Sequence, residues 1–141
     1  LVCRDLSEIS TYAKIGNQDF RLLKSLTPGP YTLICQATKQ VPRRLLHPKR
    51  KTIGIRVPDN VICQALLAEL DQPLLSTTLI MPGEDMPLTD PYEMRDLLQY
   101  EVDLIIDGGF CGLEPTTVVD LTGDAPGVVR LGKGDATLFE E

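Results

Sequence analysis

Residues 51–58, Lys-Thr-Ile-Gly-Ile-Arg-Val-Pro, have strand composition, with a threonine near the start and an arginine near the end. Three other runs, 27–32, 74–79 and 115–121, also combine apolar and hydroxyl side chains. Hydroxyls and guanidinium groups at strand ends can bind anionic, hydroxyl-rich ligands such as nucleotides. Alternatively, these are ordinary strand and surface residues. The runs therefore predict a sheet and leave both interpretations of its polar residues open.

Helix signals alternate with these runs. Capping residues and apolar spacing predict helices from Ser7 to Lys14, from Asn17 to Leu26 and over 61–70, and a turn of helix over 41–46. The 61–70 helix is apolar on nearly all sides, which predicts that it is buried. A further amphipathic helix should begin at Asp90-Pro91, with Met94, Leu97 and Leu98 facing inward.

Six segments have strand composition: 31–37, 52–57, 73–79, 103–107, 116–121 and 128–130. Strands that alternate with short helices indicate an α/β or α+β fold, with helices packed on one sheet. The sequence contains no repeat, low-complexity tract or linker, so we expect a single domain over 1–141.

The net charge of −6 is unevenly distributed along the chain. Residues 1–56 carry 11 Lys or Arg against 3 Asp or Glu, whereas residues 57–141 carry 3 against 17. A basic half can attract phosphate-bearing partners, including RNA, although a solvated loop is the slightly favoured alternative. The densest basic cluster comprises Arg43, Arg44, Lys49, Arg50 and Lys51.

Several classes of site are not supported. His47 is the only histidine, so no His-centred triad is indicated, and no Walker, GxGxxG or GxSxG motif occurs. The cysteines are too far apart for a zinc knuckle. Cys3, Cys35 and Cys63 are expected to be buried free thiols in a cytoplasmic protein. No apolar run approaches the ~20 residues that span a bilayer, so we expect no membrane association.

Five short motifs, in order along the chain, resemble those of the YrdC/YciO family, and several are closest in wording to the YciO branch. They are Pro-Gly-Pro-Tyr-Thr at 28–32, the strand ending Arg-Val-Pro at 56–58, Ser76-Thr77-Thr78, Thr116-Thr-Val-Val-Asp120 and Arg130-Leu-Gly132. The resemblance implies a twisted, open mixed sheet with flanking helices and a concave, positively charged groove.

The resemblance also implies a function. The better-known branch of the family is L-threonylcarbamoyladenylate synthase, a nucleotidyltransferase that joins ATP, L-threonine and bicarbonate for t6A modification of tRNA, with Mg²⁺ as a candidate companion of ATP. By this resemblance, the nucleotide would contact Thr52, Thr78 and Arg130. The threonine side of the product would contact Arg56, Ser76 and Thr116.

Two departures from the family pattern bear on activity. The chain begins inside an apolar run without Met and lacks the family's N-terminal P-T-D-T-x-Y-G and K-x-R motifs, so we expect it to start part-way through a longer protein. Thr78 stands where the family has Asn, and a hydroxyl makes fewer hydrogen bonds than an amide. Losing such a contact costs ~1–3 kcal/mol, which predicts reduced synthase activity.

Two alternatives remain. One is a non-catalytic module that binds double-stranded or structured RNA through phosphates and 2′-hydroxyls. The low aromatic content, 5%, argues against single-strand binding. The other is a carbamoyl-adenylate step in the maturation of a metal cofactor, as in the YrdC-like domain of larger carbamoyltransferases.

Overall fold

A computed structural model describes residues 1–139. In chain order its elements are α1 (Leu6–Tyr12), β1 (Ala13–Lys14), α2 (Asn17–Leu26), β2 (Tyr31–Ala37), a 3-10 turn (Arg43–Leu45), β3 (Thr52–Ile55), α3 (Val61–Leu70), α4 (Pro91–Leu98), β4 (Thr117–Asp120), β5 (Gly127–Arg130) and a second 3-10 turn (Thr137–Phe139). The chain divides into two compact units. The first contains Leu1–Ser76 and the segment that begins at Thr116, and the second contains Thr77–Pro115.

The sheet of the first unit is built around β2. This strand pairs antiparallel with β1 and β3 and parallel with β4, and β4 pairs antiparallel with β5. Val2 adds a short link beyond β3, because it bridges both Arg56 and Leu74. The mixed, open sheet with helices confirms the predicted fold class.

Alternation along the strands gives the sheet two different faces. One face is fully buried under α1 and α2, which contribute Ile9, Leu23 and Leu26 to the same apolar cluster. The strands supply this cluster with Tyr31, Leu33, Cys35, Ile53, Ile55 and Val119. The intervening positions are only half-buried and define what we term the second face: Thr32, Ile34, Thr52, Gly54, Val118 and Asp120.

The helix termini follow their capping residues. The α1 helix begins at Leu6 rather than Ser7, because the Asp5 carboxylate accepts a hydrogen bond from the Glu8 N–H. It ends at Tyr12 rather than Lys14, because Ala13 and Lys14 pair with β2. The predictions for α2, β2, the turn within 41–46 and α4 agree with the structure.

Several predictions about burial and strands were wrong. The α3 helix buries only Leu67 and leaves Val61 87% exposed, because its apolar residues encircle the helix and packing covers only part of that circumference. Leu97 of α4 is 50% exposed, and Cys63 is only half-buried. Residues 73–79 are not a strand, since Leu74 alone forms a β-bridge. Residues 103–107 are not a strand either, since none of them pairs with another segment as a strand or a bridge. Within residues 1–139, no helix is both long enough and apolar enough to cross a bilayer.

Candidate functional site

The parallel pairing of β2 with β4 brings two threonines into contact at one end of the second face. Tyr31 is aligned with Thr117, whose N–H donates to the Pro30 carbonyl at 3.0 Å. Thr116, which precedes Thr117, and Thr32, which follows Tyr31, are diagonal neighbours on the opposite face from Tyr31 and Thr117, and their hydroxyl oxygens are 2.6 Å apart. Both side chains are half-buried, so the pair is fixed by its neighbours and still reachable.

Arg130, the last residue of β5, completes this cluster. Its Nη2 donates to the Thr116 carbonyl at 2.8 Å and to the Thr116 hydroxyl at 3.0 Å, and its Nε donates to the same carbonyl at 3.1 Å. None of these bonds uses Nη1. The guanidinium is thus oriented by the protein and keeps N–H groups that can bind a carboxylate or phosphate.

Arg56 presents a second guanidinium at the same end of the face. Its Nε atom is buried and has no hydrogen-bond partner within the described residues. In the β2–β3 register Leu33 opposes Ile55, so the next step along both strands places Arg56 opposite Thr32. A buried donor without a partner costs ~1–3 kcal/mol. Such an atom marks a place where an anionic or carbonyl acceptor would bind.

In the middle of β3, Gly54 contributes no side chain to the second face. We call the space above this glycine the floor of the second face. A Cβ atom placed on Gly54 would lie 3.6 Å from Cγ2 of Thr32, an ordinary contact, so the glycine leaves open space rather than relieving a clash. Thr52 and Arg56 stand four residues apart along the strand, or ~13 Å at the usual rise. This surface suits a flat, elongated ligand with polar groups at both ends.

The Thr52 end of the face carries charges of both signs. The Asp120 carboxylate accepts from the Thr122 N–H at 2.8 Å and from its hydroxyl at 2.6 Å. These two bonds lower the pKa of Asp120, and the positive charge of Arg50 lowers it further. Arg50, one member of the basic cluster, therefore acts electrostatically on this end of the face.

The structure places the six predicted site residues differently. Thr116 and Arg130 are in direct contact, whereas Thr52 is the first residue of β3 and Arg56 directly follows its last residue. Ser76 is exposed and lies two residues beyond Leu74, which is linked through Val2 to Arg56.

Thr78 belongs to the second unit, where its carbonyl accepts the Ile80 N–H at 3.1 Å. It is exposed within that unit.

Thr32 is a site residue that the sequence analysis did not select. Two signals could have identified it. It is the last residue of the Pro-Gly-Pro-Tyr-Thr motif, and it occupies a polar position between the apolar residues Tyr31 and Leu33. Period-two alternation therefore assigns it to the face opposite the core. No three His, Cys, Asp or Glu side chains are grouped for metal binding in the part of the chain that the structure describes.

Comparisons with known proteins agree with this architecture. The family model of the Sua5, YciO and YrdC proteins, described as "Telomere recombination", matches residues 1–132. The uncharacterized protein YciO of Escherichia coli (strain K12) is 58% identical over 139 residues, which are 99% of this chain and 68% of YciO. The crystal structure of E. coli YciO superimposes with a TM-score of 0.93 over the same shares of the two chains.

More distant relatives carry a named activity. Human threonylcarbamoyl-AMP synthase is 34% identical over 119 residues, which are 79% of this chain and 42% of the human protein. The structure of P. abyssi Sua5 complexed with L-threonine is 26% identical, with a TM-score of 0.82, over 93% of this chain and 38% of Sua5. The chain thus spans less than half of each of these two proteins. On the strength of the family match and of the identity to YciO, the chain belongs to the Sua5/YciO/YrdC family.

Proposed function

We propose that the protein binds ATP and L-threonine on the second face of its sheet. In this proposal it is a cytoplasmic nucleotidyltransferase of the threonylcarbamoyl-AMP synthase type, with reduced activity. The observation that carries the proposal is the buried, unpartnered Nε of Arg56 beside the Thr32–Thr116–Arg130 cluster. The family and the L-threonine complex of P. abyssi Sua5 support the choice of ligands.

The two guanidinium groups would bind different ligands. Arg56 would hold the threonine carboxylate, because its Nε lacks an acceptor and lies in a desolvated position where a charge-assisted bond is strong. Arg130, already oriented by Thr116, would offer Nη1 to the nucleotide. The hydroxyls of Thr116 and Ser76 would contact the amino-acid side, and those of Thr52 and Thr78 the nucleotide side.

Catalysis in this arrangement would rest on positioning. Threonine and bicarbonate would lose water to form a carbamate, and a carbamate oxygen would attack the α-phosphorus of ATP, with pyrophosphate as the leaving group. Mg²⁺ would enter as the ATP complex. Fixed guanidinium groups would hold the carboxylate and the phosphate in place of water molecules that must reorient. They would also lower the entropy cost of bringing the carbamate and ATP together. Thr78, in place of Asn, would reduce the rate.

Calorimetry on the full-length protein with ATP and with L-threonine tests the proposal, together with pyrophosphate release that depends on threonine and bicarbonate. Arg56→Lys should weaken threonine binding, since lysine cannot form the bidentate contact. Arg21→Lys, an exposed change on α2, is the matched control and should bind like the parent. Absence of ATP binding at millimolar concentration would contradict the proposal.

RNA binding is the second candidate, favoured by the basic cluster. All five of its cations are exposed, and the ion pairs found among residues 1–139 involve Arg4 alone. Within the loop, Nδ1 of His47 accepts the N–H groups of Lys49 and Arg50 at 3.3 and 3.1 Å. Five exposed cations that form no ion pair among residues 1–139 suit the phosphates of tRNA or another structured RNA. The salt dependence of RNA binding, with the variant given in the Discussion, tests this candidate.

A further inference from the structure

Behind the second face, one buried hydroxyl holds the chain segment that follows Arg130. Thr117 is a polar side chain with no solvent exposure, on the core side of β4. Its hydroxyl accepts the Gly132 N–H at 3.0 Å and donates to the Gly134 carbonyl at 2.7 Å. Both capacities of the hydroxyl are thereby used within the segment 132–134.

Tyr31 holds the same segment from the neighbouring strand. It is the register partner of Thr117, and its hydroxyl donates to the Asp135 carbonyl at 3.1 Å. Gly134 lies against the tyrosine ring so closely that a Cβ atom would come within 2.5 Å of Cε1. Any other residue at 134 would push the ring or the segment away. Two aligned side chains therefore fix residues 132–135 from one side of the sheet.

From this arrangement we infer that Tyr31 and Thr117 are positioning residues for the nucleotide side of the site. The inference rests on the proposed function. Thr116 and Thr117 are adjacent and face opposite sides of the sheet. The first contacts the guanidinium of Arg130, and the second fixes the backbone two residues after Arg130. The guanidinium of Arg130 is thus held from one face of the sheet, and the backbone that follows Arg130 from the other, before any ligand arrives.

Loss of the Thr117 hydroxyl should affect the affinities for the two ligands differently. Without the Thr117 hydroxyl, the Gly132 N–H and the Gly134 carbonyl lose their partner, and the backbone after Arg130 is released. Arg130 must then be ordered when the nucleotide binds, which lowers nucleotide affinity. The threonine ligand depends on Arg56, on a different strand, so its affinity should change little.

The test compares Thr117→Val, which keeps the shape and removes the hydroxyl, with Thr117→Ser, which keeps the hydroxyl. Val119→Ala is the matched control, because Val119 is buried on the same side of the same strand. Calorimetry measures the dissociation constants for ATP and L-threonine. In the valine variant we expect ATP to bind about tenfold more weakly, the effect of one lost hydrogen bond. Threonine affinity should change by less than about twofold. Thr117→Ser should restore ATP affinity, and Val119→Ala should leave both affinities intact.

A second readout does not need a ligand. The Arg130 Nε–H donates to the Thr116 carbonyl, so in the parent and in Val119→Ala this hydrogen should be protected from exchange with solvent. In Thr117→Val its ¹⁵N NMR signal should be broadened. If Thr117→Val does not fold, Tyr31→Phe is the alternative variant. It removes only the bond to Asp135 and should also broaden the Arg130 Nε–H signal. An unchanged Nε–H signal, or unchanged ATP affinity in Thr117→Val, would overturn the inference. Absence of nucleotide binding by the parent would overturn the proposed function instead, and the NMR comparison would still decide the positioning role.

Discussion

The hydroxyl oxygens of Thr32 and Thr116 lie 2.6 Å apart although 84 residues separate them in the chain. The contact exists because β2 and β4 are parallel neighbours, so that Thr116, just before β4, and Thr32, the second residue of β2, are diagonal neighbours on the same face of the sheet. Since Thr116 also accepts from Arg130, the pair joins three separate chain segments into one polar cluster. The contributions of this cluster and of Arg56 to ligand binding can both be tested.

Replacing Arg56 by methionine should separate stability from ligand binding. Methionine fills a similar length without a donor, so the unpartnered Nε disappears. The free energy of unfolding should stay equal or rise by ~1 kcal/mol, because an unsatisfied buried donor is removed. Threonine binding should fall at least about tenfold, as expected for a lost charge-assisted bond. Urea denaturation and calorimetry measure the two effects, with the exposed Arg21→Met as control. A large loss of stability in Arg56→Met would show that Arg56 is a structural residue.

Side-chain volume at Gly54 should control access to the floor of the second face. Gly54→Ala adds one methyl group at ordinary contact distance from Thr32 and should bind ATP nearly as the parent does. Gly54→Val should not destabilise the strand, given the high strand propensity of valine, yet should weaken ATP binding at least about tenfold by filling the floor. Equal ATP affinities in the two variants, measured by calorimetry, would place the nucleotide elsewhere.

Thr78→Asn should raise activity. An amide supplies two donors and an acceptor on a longer arm, where the hydroxyl supplies one of each. Restoring such a contact is worth ~1–3 kcal/mol, so threonine- and bicarbonate-dependent pyrophosphate release should increase about fivefold or more. Thr77→Asn, one residue away, is the matched control. An unchanged rate in Thr78→Asn would mean that another feature limits activity.

Two buried thiols should make the protein sensitive to alkaline pH. Burial raises the pKa of both Cys3 and Cys35 to about 12, from an ordinary value of 9.0. Below pH 9 the thiols are protonated in both folded and unfolded states, and their burial carries no penalty. As the pH rises from 9 toward 12, the thiols ionise in the unfolded chain first, so stability falls.

The Cys35→Val variant checks this pH dependence. Urea midpoints from about pH 8 to about pH 11 should decline less steeply in the variant than in the parent, because one of the two linked groups is absent. In the folded parent, a thiol reagent should modify the exposed Cys111 before either buried cysteine. Rapid labelling of Cys35 in the folded protein would contradict the assigned burial.

Charge removal should distinguish RNA binding from nucleotide binding. Changing Arg43, Arg44, Lys49, Arg50 and Lys51 to Gln should weaken RNA binding and flatten its dependence on salt, since the slope follows the number of phosphates neutralised. ATP affinity should be retained, because no proposed nucleotide contact is altered. An unchanged RNA slope would exclude the cluster as the RNA site. Loss of ATP binding would instead show that the cluster reaches the nucleotide, in line with the influence of Arg50 on Asp120.

The sequence predicted local structure better than it predicted pairing. Runs such as 31–37 and 52–57 identified β2 and β3, because alternation and strand propensity are local properties. Residues 73–79 have the same composition, yet only Leu74 is paired, because the one neighbouring segment that reaches it is at Val2. Strand propensity cannot reveal whether a partner exists.

The site was predictable as a set of residue types rather than as contacts. Hydroxyl and arginine motifs selected Thr116 and Arg130, which do touch. The place of Thr32 beside Thr116 depends on the parallel register of β2 and β4, which no local pattern encodes. The anchoring role of Thr117 was also hidden, because in sequence a buried threonine looks like any other strand residue.

Because Thr77–Pro115 separates Leu74 from β4 in the chain, the sheet is completed late in synthesis. The β2–β3 hairpin can pair as soon as it leaves the ribosome, but the β2 edge that later receives residues 117–120 must wait until the whole second unit has emerged. During that interval its N–H and C=O groups can template pairing with another nascent chain. Premature termination before Thr117 would leave this edge of β2 permanently unpaired. Truncated chains would then aggregate in addition to being inactive.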